Sequence, residues 1–318
     1  MSHNSSSKSI HKIKTFLIYY KENLMFKSLF APERPILAFD VSNLAYRAFY
    51  ARGYNGLTCN SKPSGHVFGS FKMIVSAIKH IYPKQNPEIW FALDGCPKQR
   101  LKLYPQYKEG RIKPSFNPIP DVLDLIRLIP GKIMSHPNLE ADDILALMTR
   151  LKKKRQLTII TGDTDLWQFV GCKKTRIWCK DHVVDPIEIK AKFLVDSPKQ
   201  IALIKALFGD SSDHIKPAVP HLKRKPIIEL INKFNLTTPT ELLDCIKTNL
   251  NNKIGKLVLN HEHQLRLQYK IVKLRTSSKK EISIIINNEQ QQTTEKLKKF
   301  LLKWKCKSLV DDLDIFKI

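Results

Sequence analysis

Five short runs rich in Ile, Val and Phe constrain the fold more than any other feature. They are PILAFDV (35–41), EIWFALD (88–94), GKIMSH (131–136), LTIITGD (157–163) and TRIWCK (175–180), and each reads as a buried strand. Segments of helical period lie between them, over 65–81, 118–129 and 138–153. Strands that alternate with helices predict a mostly parallel sheet covered on both faces. With 318 residues and 42% hydrophobic content, the chain is long enough for a substantial core. The α/β pattern is expected over 35–190. Residues 191–318 read as a helical domain, through IALIKALFG, PIIELINKF, TELLDCI and EKLKKFLLKW, with the Ser-, Lys-, Asn- and Gln-rich stretch 277–297 as a solvated loop.

Acids fall at informative places on that scaffold. Asp40, Asp94 and Asp163 each stand at the carboxyl end of a predicted strand, the edge where open parallel sheets put their ligand crevice. The stretch NLEADDILALM (138–148) follows the third strand, with Asn138 as the expected helix N-cap and Glu140, Asp142 and Asp143 in or next to the first turn. Asp165 lies beside Asp163, and Asp210 and Asp213 stand three apart where the helical region begins. Taken singly, each has an ordinary explanation, as a dipole-favoured acid or a turn residue. Together they gather negative charge at one sheet edge, and that charge calls for a cation. With oxygen donors only, the expected occupants are two Mg²⁺ or Mn²⁺ ions ~4 Å apart.

The rest of the chain is strongly basic. Lys and Arg outnumber Asp and Glu by 54 to 29, a net charge of +25, which makes a polyanion such as nucleic acid the leading partner. No apolar run reaches the ~18 to 20 residues of a spanning helix, so a soluble chain with no membrane partner is expected. The six cysteines are scattered without zinc spacing, which fits a reducing compartment. GxxxxGK[ST] is absent, and no Ser-His-Asp or Cys-His nucleophile is evident. Between the second strand and the next helix runs PKQRLKLYPQYKEGRIKPSFNPIP (97–120). It carries Lys98, Arg100, Lys102, Lys108, Arg111 and Lys113 interleaved with Tyr104, Tyr107 and Phe116, a pattern that suits a single strand with stackable bases. Residues 1–34 read as a disordered extension, with an organelle transit peptide or a start at Met25 as alternatives.

The ordered motifs LAFDVSNLAYRAFY, FALDG, YPQYKEGR, LEADDILA, TGDTDLWQ and LFGDSSDHI resemble those of the 5′ nucleases, the flap endonuclease and 5′-to-3′ exonuclease family, over roughly residues 35 to 310. The resemblance implies a PIN-like α/β catalytic domain with a basic arch at 97–118. A helical DNA-binding domain would follow, with a divergent helix-hairpin-helix-like element near 205–232. It implies that Asp40, Asp94, Glu140, Asp142 and Asp143 surround one metal ion and Asp163, Asp165, Asp210 and Asp213 the other. Lys108 and Arg111 would grip the scissile phosphate, Arg47 and Lys205 would touch phosphates nearby, and Tyr46 would stack on a base. Lys98, Arg100 and Lys102 would line the DNA path. The implied activity is metal-dependent hydrolysis of DNA with a 5′ flap, a nick or a free 5′ end, including removal of RNA primers from RNA–DNA hybrid, in the cytoplasm of a bacterial or phage-infected cell.

One stretch departs from the family. Where a glycine-rich hairpin is usual after GDSSD, the chain reads HIKPAVPHLKRKPIIEL, with Pro217, Pro220, Leu222 and Pro226. Proline offers no N–H and a Cβ-bearing residue resists positive φ, so Lys216, Lys223, Arg224 and Lys225 are expected to take over phosphate binding through side chains. Two other readings stand beside the leading one: a PIN-like ribonuclease, and a structure-specific DNA-binding protein without catalysis.

Overall fold

The computed structural model describes residues 34–110, 114–250, 252–274, 283–287 and 290–316. Apart from Arg34, the expected N-terminal extension lies outside the described residues, as does Arg111 in the basic arch.

In chain order the first half runs β1 Ile36–Asp40, α1 Val41–Tyr50, a small hairpin of β2 Thr58–Cys59 and β3 Lys62–Pro63, α2 Gly65–Ile81, β4 Glu88–Ala92, α3 Lys98–Leu103, α4 Ile119–Ile126, β5 Gly131–Ser135, α5 Ala141–Leu151 and β6 Leu157–Ile160. The second half runs β7 Thr175–Cys179, β8 His182–Val183, α6 Pro186–Phe193, α7 Ile201–Phe208, α8 Arg224–Lys233, α9 Pro239–Asn249, α10 Lys253–Asn260, α11 Glu262–Val272, β9 Ser283–Asn287 and α12 Gln290–Lys303.

Seven of these strands form one sheet in the order β8-β7-β6-β1-β4-β5-β9. The five inner strands are parallel, and β8 and β9 are antiparallel edges. The chain steps outward from β1 to β4 and β5, then returns to the other side of β1 for β6 and β7. The order therefore reverses between β1 and β6, and an open sheet has its ligand crevice at the carboxyl ends of the strands at such a reversal.

Alternation along β1 explains the two layers. Ile36 and Ala38 face a core shared with α5, α7 and α8, while Leu37 and Phe39 face one shared with α1 and α2. All four side chains are fully buried, each worth roughly 1 to 3 kcal/mol of apolar transfer, so the central strand is fixed from both sides.

The first of these cores runs without a break from Ile36 through Ile231 and Leu265 to Leu274, and Pro35–Ile318 is one compact unit. The C-terminal end then goes back to the sheet. The stretch expected as a solvated loop instead supplies β9, which pairs antiparallel with β5 from Gly131↔Asn287 to Ser135↔Ser283, and most of α12. Leu297, the last residue of that stretch, fills the core on the α1 and α2 face together with Leu301, Leu309 and Phe316 beyond it. The stretch SIIIN pairs along its whole length with β5 despite the polar composition around it. Residues 277–282 and 288–289 of that expected loop lie outside the described residues.

Candidate metal centre and nucleic-acid interface

Four carboxylates meet at the strand reversal. Asp40 ends β1 and caps α1, its Oδ1 accepting the Asn43 N–H at 2.9 Å. Asn43 in turn accepts the Gly162 N–H on its Oδ1 at 3.2 Å, which ties α1 to the turn that carries Asp163. Asp94, past the end of β4, accepts the Ser42 hydroxyl on Oδ2 at 2.5 Å and the Ala141 N–H on Oδ1 at 2.8 Å. That last bond corrects the expected cap. Helix α5 starts at Ala141, after Glu140 rather than Asn138, and its first amide is satisfied by a carboxylate 47 residues earlier in the chain. Asp142, in the first turn of α5, turns into the same crevice.

Electrostatics mark Asp40, Asp142 and Asp163 as short of positive charge. Burial, and then the charge of Asp94, pushes the Asp40 carboxyl up to about 7. Burial, followed by Asp163 and Asp40, holds Asp142 well above the usual carboxylate range. Burial raises Asp163 as well, against the opposing pull of Lys205. Asp142 Oδ1 is also buried with no hydrogen-bond partner, an orphaned acceptor. An all-oxygen set with an orphaned lone pair fits a hard divalent cation. As the side chains stand, no group of three or more His, Cys, Asp or Glu among the described residues is placed to hold a metal ion.

The other five predicted ligands are matched by protein cations and a tyrosine. Glu140 accepts Arg100 Nη1 at 2.7 Å and the Tyr107 hydroxyl at 3.0 Å on Oε2, and Lys108 Nζ at 2.5 Å on Oε1. Asp143 is gripped by both terminal nitrogens of Arg100. Asp213 accepts the Tyr107 hydroxyl at 2.9 Å and stands 3.8 Å from Lys108 Nζ. Asp165 and Asp210 share Lys205, with Nζ 2.6 Å from Asp210 Oδ2. Burial and the facing carboxylates push the Tyr107 phenol far up, so it remains a donor. Although burial works the other way, Lys205 holds the Asp210 carboxyl below its usual range.

Two predicted DNA contacts are therefore corrected. Arg100 is 4% exposed and Lys205 is 7% exposed, both engaged with acids rather than facing solvent. Lys98 and Lys102, four apart on α3, are exposed while Arg100 between them turns inward, as helical geometry requires. Tyr46 is half-buried and stacks on Tyr50 at 6.3 Å. Arg47 lines a cleft of about 580 Å³ with Asn43, Tyr54, Lys72 and Trp178.

The stretch without the hairpin glycines still closes between α7 and α8. Ala218 and Val219 spend their amides on the carbonyls of Ala206 and Leu207, and His214 and His221 adopt φ of +56° and +58°. Gly209 keeps the position that demands it, with φ +79° and Ile215 O 2.6 Å from where a Cβ would sit. Lys216, Lys223, Arg224 and Lys225 are exposed on this turn, and Arg224 lies 4.7 Å over the Phe208 ring.

Comparison with known proteins places this arrangement. Residues 35–194 match the family model described as the 5′-3′ exonuclease N-terminal resolvase-like domain. A 5′-3′ exonuclease of Buchnera aphidicola subsp. Baizongia pistaciae is 30% identical over 297 residues, covering 89% of this chain and 88% of that one. The chain belongs to the 5′-3′ exonuclease family. The thermostable DNA polymerase I of Thermus thermophilus is 29% identical over 265 residues, 80% of this chain but 30% of the polymerase, so the chain spans less than a third of that relative's length. Among solved structures, the bacteriophage T5 flap endonuclease, in a complex with DNA and metal ions, shares the fold with a TM-score of 0.60 at 17% identity, over 90% of this chain and 100% of that one.

The sequence pattern placed Tyr107 only as a stacking aromatic. Its hydroxyl instead bridges Glu140 and Asp213. Ser42 and Asn43, which hold Asp94 and the Gly162 turn, were missed outright, although both lie just after Asp40. Lys205 carried a usable signal: one lysine within the otherwise apolar run IALIKALF must find acids when that helix is buried.

Proposed function

We propose that the chain is a divalent-metal-dependent 5′ nuclease that hydrolyses phosphodiester bonds in DNA, acting as a 5′-to-3′ exonuclease and on 5′ flaps and nicks, RNA primers included, in replication or repair. The observation that carries this reading is the crevice between β1 and β6, whose carboxyls stay raised despite the pull of Lys108 and Lys205, with the orphaned Asp142 oxygen. Asp40, Asp94, Asp142 and Asp163 would hold Mg²⁺ or Mn²⁺, two ions in all, which supply activation of water and stabilisation of the charge that develops on phosphorus.

The remaining roles belong to the chain itself. Lys108, half-buried at the rim on Glu140 and near Asp213, presents an ammonium to the phosphate being cut. Tyr107 keeps Glu140 and Asp213 in place with its hydroxyl. Lys98 and Lys102 lie along the approach to the crevice, and Lys216, Lys223, Arg224 and Lys225 suit a duplex backbone. The net charge of +25 draws the polyanion in.

Digestion of an end-labelled 5′-flap DNA in Mg²⁺, with products sized beside RNA–DNA hybrid and single-stranded RNA, tests the proposal. Cleavage of the flap near its base, lost in EDTA, is expected. Cleavage of single-stranded RNA alone would transfer the activity to a ribonuclease, and no cleavage of any substrate would remove it.

A further inference from the structure

One guanidinium joins three parts of the molecule. Arg100 projects from α3, at the base of the arch, and donates from Nε to the carbonyl of Ile271 near the end of α11 at 2.9 Å. Its Nη1 donates to Glu140 Oε2 at 2.7 Å and to Asp143 Oδ2 at 2.5 Å, and its Nη2 donates to Asp143 Oδ1 at 2.8 Å. Both oxygens of Asp143 are thus turned to the arginine, and its side chain is 1% exposed. Successive residues on a helix point about 100° apart, so Asp142 can face the crevice while Asp143 faces α3 and α11. The planar fork of arginine matches a carboxylate in two parallel bonds, which the point charge of a lysine cannot reproduce.

We propose that Asp143 is the counter-charge of Arg100 rather than a metal ligand, and that Arg100 is a positioning residue which sets Glu140 and, through it, the Lys108 ammonium at the rim of the crevice. This inference rests on the reading of the crevice as a metal site. Glu140 is the link. Its Oε2 is held by Arg100 and Tyr107, and this orients Oε1 toward Lys108 Nζ. Without the guanidinium, Glu140 and Asp143 would be two buried carboxylates three residues apart on one side of the helix start, a repulsion that would move both and carry Lys108 with them.

The test combines Mn²⁺ titration, read from the electron paramagnetic resonance of the free ion, with steady-state cleavage of a 5′ flap. Asp143→Asn is expected to bind Mn²⁺ within about threefold of the unaltered protein, yet to lose about 10- to 100-fold in kcat with KM unchanged. Arg100→Lys is expected to lose kcat by a similar factor. DNA binding in EDTA by the charge-removing pair Arg100→Met with Asp143→Leu should keep the wild-type salt dependence, whereas loss of a true phosphate contact would lower the slope by about 0.9. If Asp143→Asn folds poorly, the apolar pair Arg100→Met with Asp143→Leu removes both buried charges at once and should bind Mn²⁺ normally while still losing kcat.

Loss of Mn²⁺ binding in either Asp143 variant, a reduced salt slope in the Arg100→Met with Asp143→Leu pair, or a wild-type kcat in Arg100→Lys overturns the proposal. Asp142→Asn serves as the control. If it too bound Mn²⁺ normally, the metal reading of the crevice would fail, an outcome separate from a defect confined to the Asp143 and Arg100 variants.

Discussion

Two acidic regions a few residues apart solve the same electrostatic problem in opposite ways. On the flank, Glu140, Asp143, Asp165, Asp210 and Asp213 are matched by Arg100, Lys108, Lys205 and the Tyr107 hydroxyl. In the crevice, burial raises the carboxyls of Asp40, Asp142 and Asp163, with repulsion from Asp94 adding to it at Asp40 and from Asp163 and Asp40 at Asp142. Buried like charges of the second kind persist only where something outside the chain completes them. The contrast teaches that a count of acids in a motif does not count ligands: about half of this set is neutralised by the fold itself.

Substitutions in the crevice should break the comparison most severely. Asp142→Asn is expected to lower flap cleavage on the order of a thousandfold, about 4 kcal/mol of barrier, while DNA affinity measured in EDTA stays near wild type. Retention of turnover would place the ions elsewhere.

Lys108→Ala comes next. It removes a cation that faces both regions, and kcat should fall about 100-fold, as when one preorganised donor to a transition-state charge is lost. Metal binding should survive, because Lys108 is a cation paired with Glu140 and supplies no ligand to the crevice. Metal titration of this variant separates the two roles.

Thermal unfolding gives a middle-sized effect with opposite signs in two conditions. In EDTA, Asp142→Asn should melt higher than the unaltered protein, because it relieves repulsion from Asp163 and Asp40. In Mg²⁺ at about a hundred times its dissociation constant, the unaltered protein should gain about 2.7 kcal/mol and the variant much less. The flank equivalent, Asp210→Asn, should melt lower in EDTA, since it takes away one of the two carboxylates that hold the buried Lys205.

The smallest effect concerns the turn between α7 and α8. Lys223→Ala and Lys225→Ala should each weaken duplex binding modestly and reduce its salt slope by about 0.9, if each contacts one phosphate. An unchanged slope in both would leave that turn without a role in binding.

Much of this architecture was legible in the sequence because it is local. The five apolar runs became β1, β4, β5, β6 and β7 within a residue or three of their expected ends, and the helical period over 65–81 became α2 with those bounds. What escaped was decided at a distance. The cap of α5 is set by Asp94, so no local preference could place it, and Asn138 lost to a residue from another strand. The burial of Arg100 was hidden in a basic run whose composition reads as a solvated face, because only the packing of α3 on α5 and α11 shows which side turns inward. Strand β9 lay in a polar stretch, and its Ile residues gain their meaning from the open edge of β5. The site residues were found as a set, but their division into metal-facing and cation-matched groups depends on side-chain partners that spacing alone does not reveal.

The central claim is that the crevice carboxylates, and not the flank, await an external cation. Titration of Mn²⁺ into DNA-free protein near neutral pH, unaltered and with Asp142→Asn, tests it most directly. Ion binding by the unaltered chain that weakens about a hundredfold or more in the variant is predicted. Equal Mn²⁺ affinity in the two proteins would contradict it.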